Sequence, residues 1–302
     1  MRASHPDYAG HLERDGVSLG YEVFGEGEPT ILLLPTWTIV HSRFWKLQVP
    51  YLARHYRVVT YDGPGNGRSD RPLDSAAYHH ATQVGYARAV LDATGTDRAV
   101  VVGLSMAANW ALELAATHPE RVAGLVLIGP SVALPTGSTP RSAHFAPLDP
   151  QPELPPSAVA DGGQDPAEHW AKYNLEYWRT RHDDFLWFFF GQCFIEPHST
   201  KPIEDAVGWG LETTGDVLVA NHHPGAYPNE AVLRSWCEQV AAPALVIHGD
   251  TDQTSPLERG TLLAQLIDAQ LLVLAGAGLI PLARDPVRVN LALRDFIERV
   301  AL

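Results

Sequence analysis

A chain of 302 residues, 45% of them hydrophobic, is long enough to bury one large core with room for an inserted subdomain. Its 22 Lys and Arg stand against 35 Asp and Glu, a formal net charge of -13, so nucleic-acid phosphates would be repelled and nucleic acid is not expected as a partner. Apolar runs such as residues 31–34 and 125–128 fall far short of the roughly 20 residues a membrane span needs, and residues 1–16 lack the apolar core of a secretory signal, so no membrane association and a cytoplasmic location are expected.

From residue 17 to 129, short continuous apolar runs alternate with longer amphipathic stretches, the pattern of a mainly parallel sheet covered by helices. Strands are predicted at 19–24, 30–34, 57–61, 99–102 and 125–128, each closed by Gly, Pro or a polar turn. Val84, Ala87, Val90 and Leu91 repeat at helical spacing, as do Met106, Trp110, Leu114 and Ala115 ahead of His118-Pro119. Composition changes between Ser131 and Val240: prolines cluster over 135–156 and aromatics over 170–194. The sheet pattern resumes at 244–248, followed by a helix at 257–267, a strand at 271–274 and a last helix over 286–302, with Pro286 suited to its first turn. The expectation is an α/β fold with a mostly parallel twisted sheet flanked by helices. Residues 1–130 and 241–302 form the core, and 131–240 an inserted helical cap over the carboxyl edge, where open α/β sheets bind ligands. Cys193 and Cys237 have neither disulfide-scaffold nor metal-like spacing and read as buried thiols.

The sharpest local signal is Val100-Val101-Val102-Gly103-Leu104-Ser105-Met106-Ala107, a buried strand ending in a turn that opens a helix. Such a turn is tight, so small residues must flank the serine, whose hydroxyl is then exposed at the helix N-terminus. The helix end and the Met106 amide are placed to stabilise an oxyanion. A serine that merely caps the helix is the plainer reading.

Together with Asp62-Gly63-Pro64-Gly65-Asn66-Gly67 and Ala244-Leu245-Val246-Ile247-His248-Gly249-Asp250-Thr251-Asp252, this elbow resembles the α/β-hydrolase family, and the likeness runs from residue 17 to 297. The elbow is similar to that family's Gly-x-Ser-x-Gly, with Ala107 for the second glycine. The resemblance implies Ser105 as nucleophile, Asp252 as the acid, Asp250 as a turn residue, and the amides of Met106 and Trp37 as the oxyanion hole. In Pro35-Thr36-Trp37 a proline and a threonine stiffen the oxyanion loop. At Gly276-Ala277-Gly278-Leu279-Ile280-Pro281 the family places its histidine where this chain has Leu279, which accepts no proton. Loss of triad members costs on the order of 10⁴ to 10⁶ in rate.

Among substitutes for the base, His41 is best placed in sequence, followed by His144, His222 and His223; a lone histidine is more often structural. The pairs His79-His80 and His222-His223 lack a completing Cys or carboxylate set, so no metal is expected, and no cofactor. The aromatics of 170–194, Trp187 among them, are expected to pack the insertion onto the sheet and in part to line an apolar pocket. The sequence supports a serine hydrolase acting on an ester or lactone of an apolar small molecule, impaired by Leu279. A non-hydrolytic enzyme of lyase or cyclase type and a ligand-binding pseudo-hydrolase on the same fold both stay open.

Overall fold

The computed structural model describes residues 4–135 and 170–301. Eight strands form one sheet: β1 (Tyr8–Arg14), β2 (Val17–Phe24), β3 (Thr30–Leu33), β4 (Val58–Tyr61), β5 (Ala99–Leu104), β6 (Val122–Ile128), β7 (Ala244–Gly249) and β8 (Gln270–Leu274). Their order is β1-β2-β4-β3-β5-β6-β7-β8. β1 and β2 pair antiparallel, as do β2 and β4, and every pairing from β4 through β3 to β8 is parallel. The central strands β3 to β7 are buried on both faces almost without interruption, which is why their sequences read as continuous Val, Leu and Ile runs rather than alternating ones.

β1 lies where the sequence suggests only a polar N-terminus. It is an edge strand whose side chains are exposed or half-buried, so it carries no apolar run. Its signal is the turn Asp15-Gly16, where both residues take positive φ (53° and 75°), the geometry that closes a two-residue hairpin in step with strand twist.

The principal helices are α1 (His80–Ala93), α2 (Ala107–Thr117), α3 (Leu175–Thr180), α4 (His182–Cys193), α5 (Thr200–Gly210), α6 (Gly215–Asn221), α7 (Glu230–Gln239), α8 (Leu257–Leu266) and α9 (Pro286–Val300). In α9, Pro286 opens the first turn and the Asp285 carboxylate accepts the Arg288 N–H at 3.3 Å, while Val289, Leu293, Phe296 and Ile297 bury one stripe. That stripe reaches β6 at Gly124, where an added Cβ would lie 3.0 Å from the Phe296 ring. α2 packs on β5 and β6 and carries α1 and α7 against its sides, and α8 covers β7.

Helices α3 to α7 lie in the chain between β6 and β7. α7 packs on α2, and aromatic rings join others of them to the core. Trp37, on the loop after β3, meets Tyr173, Trp178, Phe185 and Phe189 with ring centroids 5.2–6.0 Å apart, mostly edge to face. Trp170, Tyr173, Tyr177, Trp178, Phe185, Phe189, Phe190 and Phe194 are all buried. Both cysteines are buried and outside any disulfide. Among the described residues no helix is long and apolar enough to cross a membrane.

Candidate active site

The elbow begins with backbone geometry. β5 ends at Leu104 and α2 starts at Ala107, so the chain reverses within two residues, and Ser105 sits at φ 53°, a left-handed conformation that a serine adopts at an energetic cost. Gly103 permits the turn: a Cβ there would stand 2.9 Å from the Ala107 carbonyl oxygen. The Ser105 N–H donates to Ile128 O at 2.9 Å, and its carbonyl accepts from Ala108 N at 3.2 Å and Ser131 N at 3.1 Å. Its hydroxyl makes no hydrogen bond to a described residue, so the plainer reading, a side-chain helix cap, fails: no side-chain cap bond exists at this helix start.

The loop carrying Trp37 is tied to this turn. Thr36 Oγ1 donates to Leu104 O at 2.9 Å, Leu34 N to Val102 O at 3.0 Å, and Trp45 Nε1 to Leu34 O at 3.0 Å. The threonine that stiffens the loop in sequence is thus the residue that fastens it to the elbow. Among the described residues neither the Met106 N–H nor the Trp37 N–H is spent on a hydrogen bond, which leaves both free to donate to an oxyanion.

Asp252 lies on the loop after β7 with its side chain fully buried. Its Oδ1 accepts from Thr254 N (2.8 Å), Thr254 Oγ1 (2.8 Å) and Ser255 N (3.0 Å). Its Oδ2 is buried without a hydrogen-bond partner. The nearest cationic candidate is His248, whose Nε2 stands 3.5 Å away but is directed to Ser255 O at 2.9 Å. Asp250 holds the turn instead: its Oδ1 accepts the Gly276 N–H at 2.7 Å.

Leu279 is 4% exposed. An added Cβ on Gly129 would fall 2.8 Å from Leu279 Cδ1, 3.0 Å from Leu279 O and 3.7 Å from Asp252 Oδ2. Gly129 directly follows Ile128, the acceptor of the Ser105 N–H. One short stretch at the end of β6 therefore gathers the elbow, the unpartnered carboxylate oxygen and the leucine.

The candidate substitute bases that are described have neighbours of their own. His41 is buried against the edge of Trp209 (5.9 Å), its Nδ1 capping a short helical turn at Arg43 N (3.4 Å) and its Nε2 3.4 Å from Glu212 Oε1. Burial lowers its pKa against the opposing pull of Asp62 and Glu212. His223 caps the turn at Gly225 N (3.1 Å), and His222 stands edge-on to Trp178 at 5.4 Å. His144 lies outside the described residues. Trp187 is 51% exposed, unlike its buried neighbours on α4. A cavity of about 30 Å³ bordered by Glu22, Ser42, Lys46 and Thr60 is touched by none of Ser105, Asp252 and Leu279. Its size suits a single water rather than a substrate. No group of three or more metal-ligating side chains forms among the described residues.

Sequence reasoning missed Glu196. It follows α4 and its Oε1 accepts the Gly278 N–H at 2.9 Å, one residue before Leu279. No motif marks it, because the contact joins segments 82 residues apart.

The sequence profile of the alpha/beta hydrolase fold matches residues 29–282. The chain is 46% identical over 85 residues to the 2-hydroxymuconate semialdehyde hydrolase of Pseudomonas sp. (strain CF600), covering 28% of this chain and 30% of that protein. It is 31% identical over 136 residues to the 2-hydroxy-6-oxo-6-phenylhexa-2,4-dienoate hydrolase of Comamonas testosteroni, covering 42% and 43%. The matched stretches thus span less than half of either relative. Among solved structures, the esterase of Exiguobacterium antarcticum superposes with a TM-score of 0.76 at 18% identity, covering 94% of this chain and 97% of that one. The enol-lactonase of Burkholderia xenovorans LB400 superposes with a TM-score of 0.73 at 22% identity, covering 96% and 100%. The parallel sheet, the strained Ser105 elbow and the profile match agree: this chain belongs to the alpha/beta hydrolase fold family.

Proposed function

We propose that this chain is a serine-hydrolase scaffold for an ester or lactone of an apolar small molecule, with Ser105 as nucleophile and Asp252 as acid, and that Leu279 in the place of the base holds its turnover down. The observation that carries the proposal is the Asp252 Oδ2 atom, buried and unpartnered against Leu279, beside an elbow serine whose hydroxyl makes no hydrogen bond to a described residue. A buried carboxylate oxygen with no donor is costly, and both it and Leu279 lie close to where a Cβ on Gly129 would stand, so an imidazole in place of Leu279 is proposed as its partner and as the base for Ser105.

In the proposed reaction Ser105 Oγ adds to the carbonyl carbon and its proton passes to water. The carbonyl oxygen becomes an oxyanion held by the Met106 and Trp37 N–H groups. Collapse of the intermediate breaks the carbon–oxygen bond to the leaving alkoxide, which takes a proton from water, and a second water cleaves the acyl-serine. The aromatic cluster around Trp37 supports an apolar or aromatic substrate, as does the phenyl group in the name of one relative, a 2-hydroxy-6-oxo-6-phenylhexa-2,4-dienoate hydrolase.

The test is hydrolysis of a panel of short aryl esters and lactones by this chain and by Leu279→His, with a serine-directed phosphonate to report the reactivity of Ser105. A gain of roughly 10² or more in kcat/KM, within the span that loss of a triad base commands, supports the proposal. Background rates and no labelling in both chains, with the fold intact, overturn it. That outcome favours the second reading, a non-hydrolytic or ligand-binding protein, which the close seating of Leu279 in its slot supports.

A further inference from the structure

We propose that Glu196 is a positioning residue: its carboxylate ties the inserted helices to the backbone at Gly278, and so fixes where the side chain at position 279 stands against Asp252. Its catalytic consequence rests on the hydrolase reading above; the tie itself does not.

The stretch 276–279 is held from two sides. From the acid loop, Asp250 Oδ1 accepts the Gly276 N–H at 2.7 Å, and Thr251 donates to Ala277 O through its N–H (3.2 Å) and its hydroxyl (2.9 Å). From the insertion, among the described residues, Glu196 is the only side chain hydrogen-bonded to this stretch. The approach is close: a Cβ on Gly278 would lie 2.8 Å from Cys193 O and 3.2 Å from Ile195 Cγ1, so glycine is what lets α4's end seat against the loop. Arg284 reinforces the contact, donating to Pro197 O at 2.7 Å and His198 O at 3.3 Å. Residue 279 therefore stands where the loop bearing the acid and the insertion meet.

Glu196 Oε1 takes the Gly278 N–H, while Oε2 is buried with no hydrogen-bond partner. The Oε1 acceptor fixes the Gly278 N–H in one place, and a few tenths of an ångström at residue 279 decide whether a base there meets both Asp252 and Ser105.

The experiment places Glu196→Ala, Glu196→Asp and Glu196→Gln in both the unmodified chain and Leu279→His. It reads amide hydrogen exchange over residues 276–281 in all of them, and kcat and KM on an aryl ester in the second background. Expected are exchange about tenfold faster with Ala and Asp in both backgrounds, kcat lower by about tenfold to a hundredfold with KM within about twofold, and recovery to within about threefold by Gln, which keeps the acceptor. Unchanged exchange and kcat in Ala and Asp, a change in KM alone, or Gln as damaging as Ala overturns the proposal. Asp keeps the charge but loses the reach, so it decides the matter should Ala not fold. If Leu279→His proves inactive, exchange decides alone. Faster local exchange at unchanged global stability then upholds the tie while the hydrolase reading fails, and unchanged exchange ends both.

Discussion

Replacing Ser105 by glycine should stabilise the fold, and the size of the effect follows from two opposing contributions. Ser105 sits at φ 53°, where a side chain costs about 1–2 kcal/mol relative to the right-handed region. Glycine removes that cost but frees the unfolded chain, a loss of about 0.5–1 kcal/mol. The hydroxyl contributes nothing to offset, because it makes no hydrogen bond to a described residue. Ser105→Gly should therefore gain between about 0 and 1.5 kcal/mol, centred near 0.75 kcal/mol, a rise of roughly 2 °C in Tm for a chain of this size. Ser105→Ala keeps the Cβ and hence the strain, and should stay within about 0.5 kcal/mol of the parent. The assay is urea unfolding of the three chains, with the midpoints compared at equal m-values so that the difference between Gly and Ala isolates the backbone. Glycine less stable than alanine would refute the reasoning, since the elbow would then store no strain.

Two further expectations concern the surroundings of the site. Gly129 combines φ 48° with a Cβ position 2.8 Å from Leu279 Cδ1 and 3.0 Å from Leu279 O, so Gly129→Ala should cost about 2–4 kcal/mol in the same unfolding assay; a loss below 0.5 kcal/mol would show that Leu279 does not press on the end of β6. The pH dependence of stability has two windows. His41, His79, His118 and His223 are each shifted below the ordinary histidine value, first by burial, so the unfolded chain binds more protons and stability falls as pH drops below about 6.5, levelling once the pH passes under the folded values. Asp62 is also buried, yet the Ser42 hydroxyl and the Arg68 and Ser42 N–H groups hold its carboxylate below the ordinary range, so its contribution is present above about pH 4 and is lost as pH falls through its folded value. Urea midpoints measured from pH 8 to pH 3 should fall in both windows; a flat profile between 7 and 5 contradicts the burial of these histidines.

How much of this was legible in the sequence depended on the range of the contacts. Strands β3 to β7 were readable because a strand buried on both faces must be apolar at nearly every position, and runs such as Val100 to Val102 say so locally. β1 was not readable, since an edge strand with polar faces has no such run and only Asp15-Gly16 betrays its hairpin. At the site, Ser105, Asp252 and Leu279 stood in motifs, and Asp250, expected as a turn residue, accepts the Gly276 N–H that closes the turn. Thr36 and Glu196 could not be read in the same way. The first acts through a bond to Leu104 O 68 residues away, the second through one to Gly278 N 82 residues away, and no local pattern encodes either partner. His41 is best placed in sequence because it lies just beyond the oxyanion loop; in the fold its Nδ1 accepts from Arg43 N, its ring stands edge-on to Trp209, and its Nε2 lies 3.4 Å from Glu212 Oε1.

The distribution of unfavourable features bears on the proposed reading. Two of them concentrate where chemistry would occur: a serine in left-handed backbone and a buried carboxylate oxygen with no donor. Neither contributes to folding. Glycine would serve the turn better than Ser105, and the three donors on Asp252 Oδ1 would be met as well by a side chain with no second oxygen to orphan. Leu279 differs in kind, since it packs, excludes water and adds apolar burial where an imidazole would have been polar. A site abandoned altogether would have no physical reason to retain the two costly members, whereas a single replacement of the base leaves this combination of strain and orphaned charge around a well-packed leucine. The same logic makes the proposed reading vulnerable in one place. If Leu279→His folds, satisfies Asp252 and still fails to activate Ser105, then the strain at the elbow serves something other than acyl transfer, and the non-hydrolytic or ligand-binding reading takes the place of the hydrolase one.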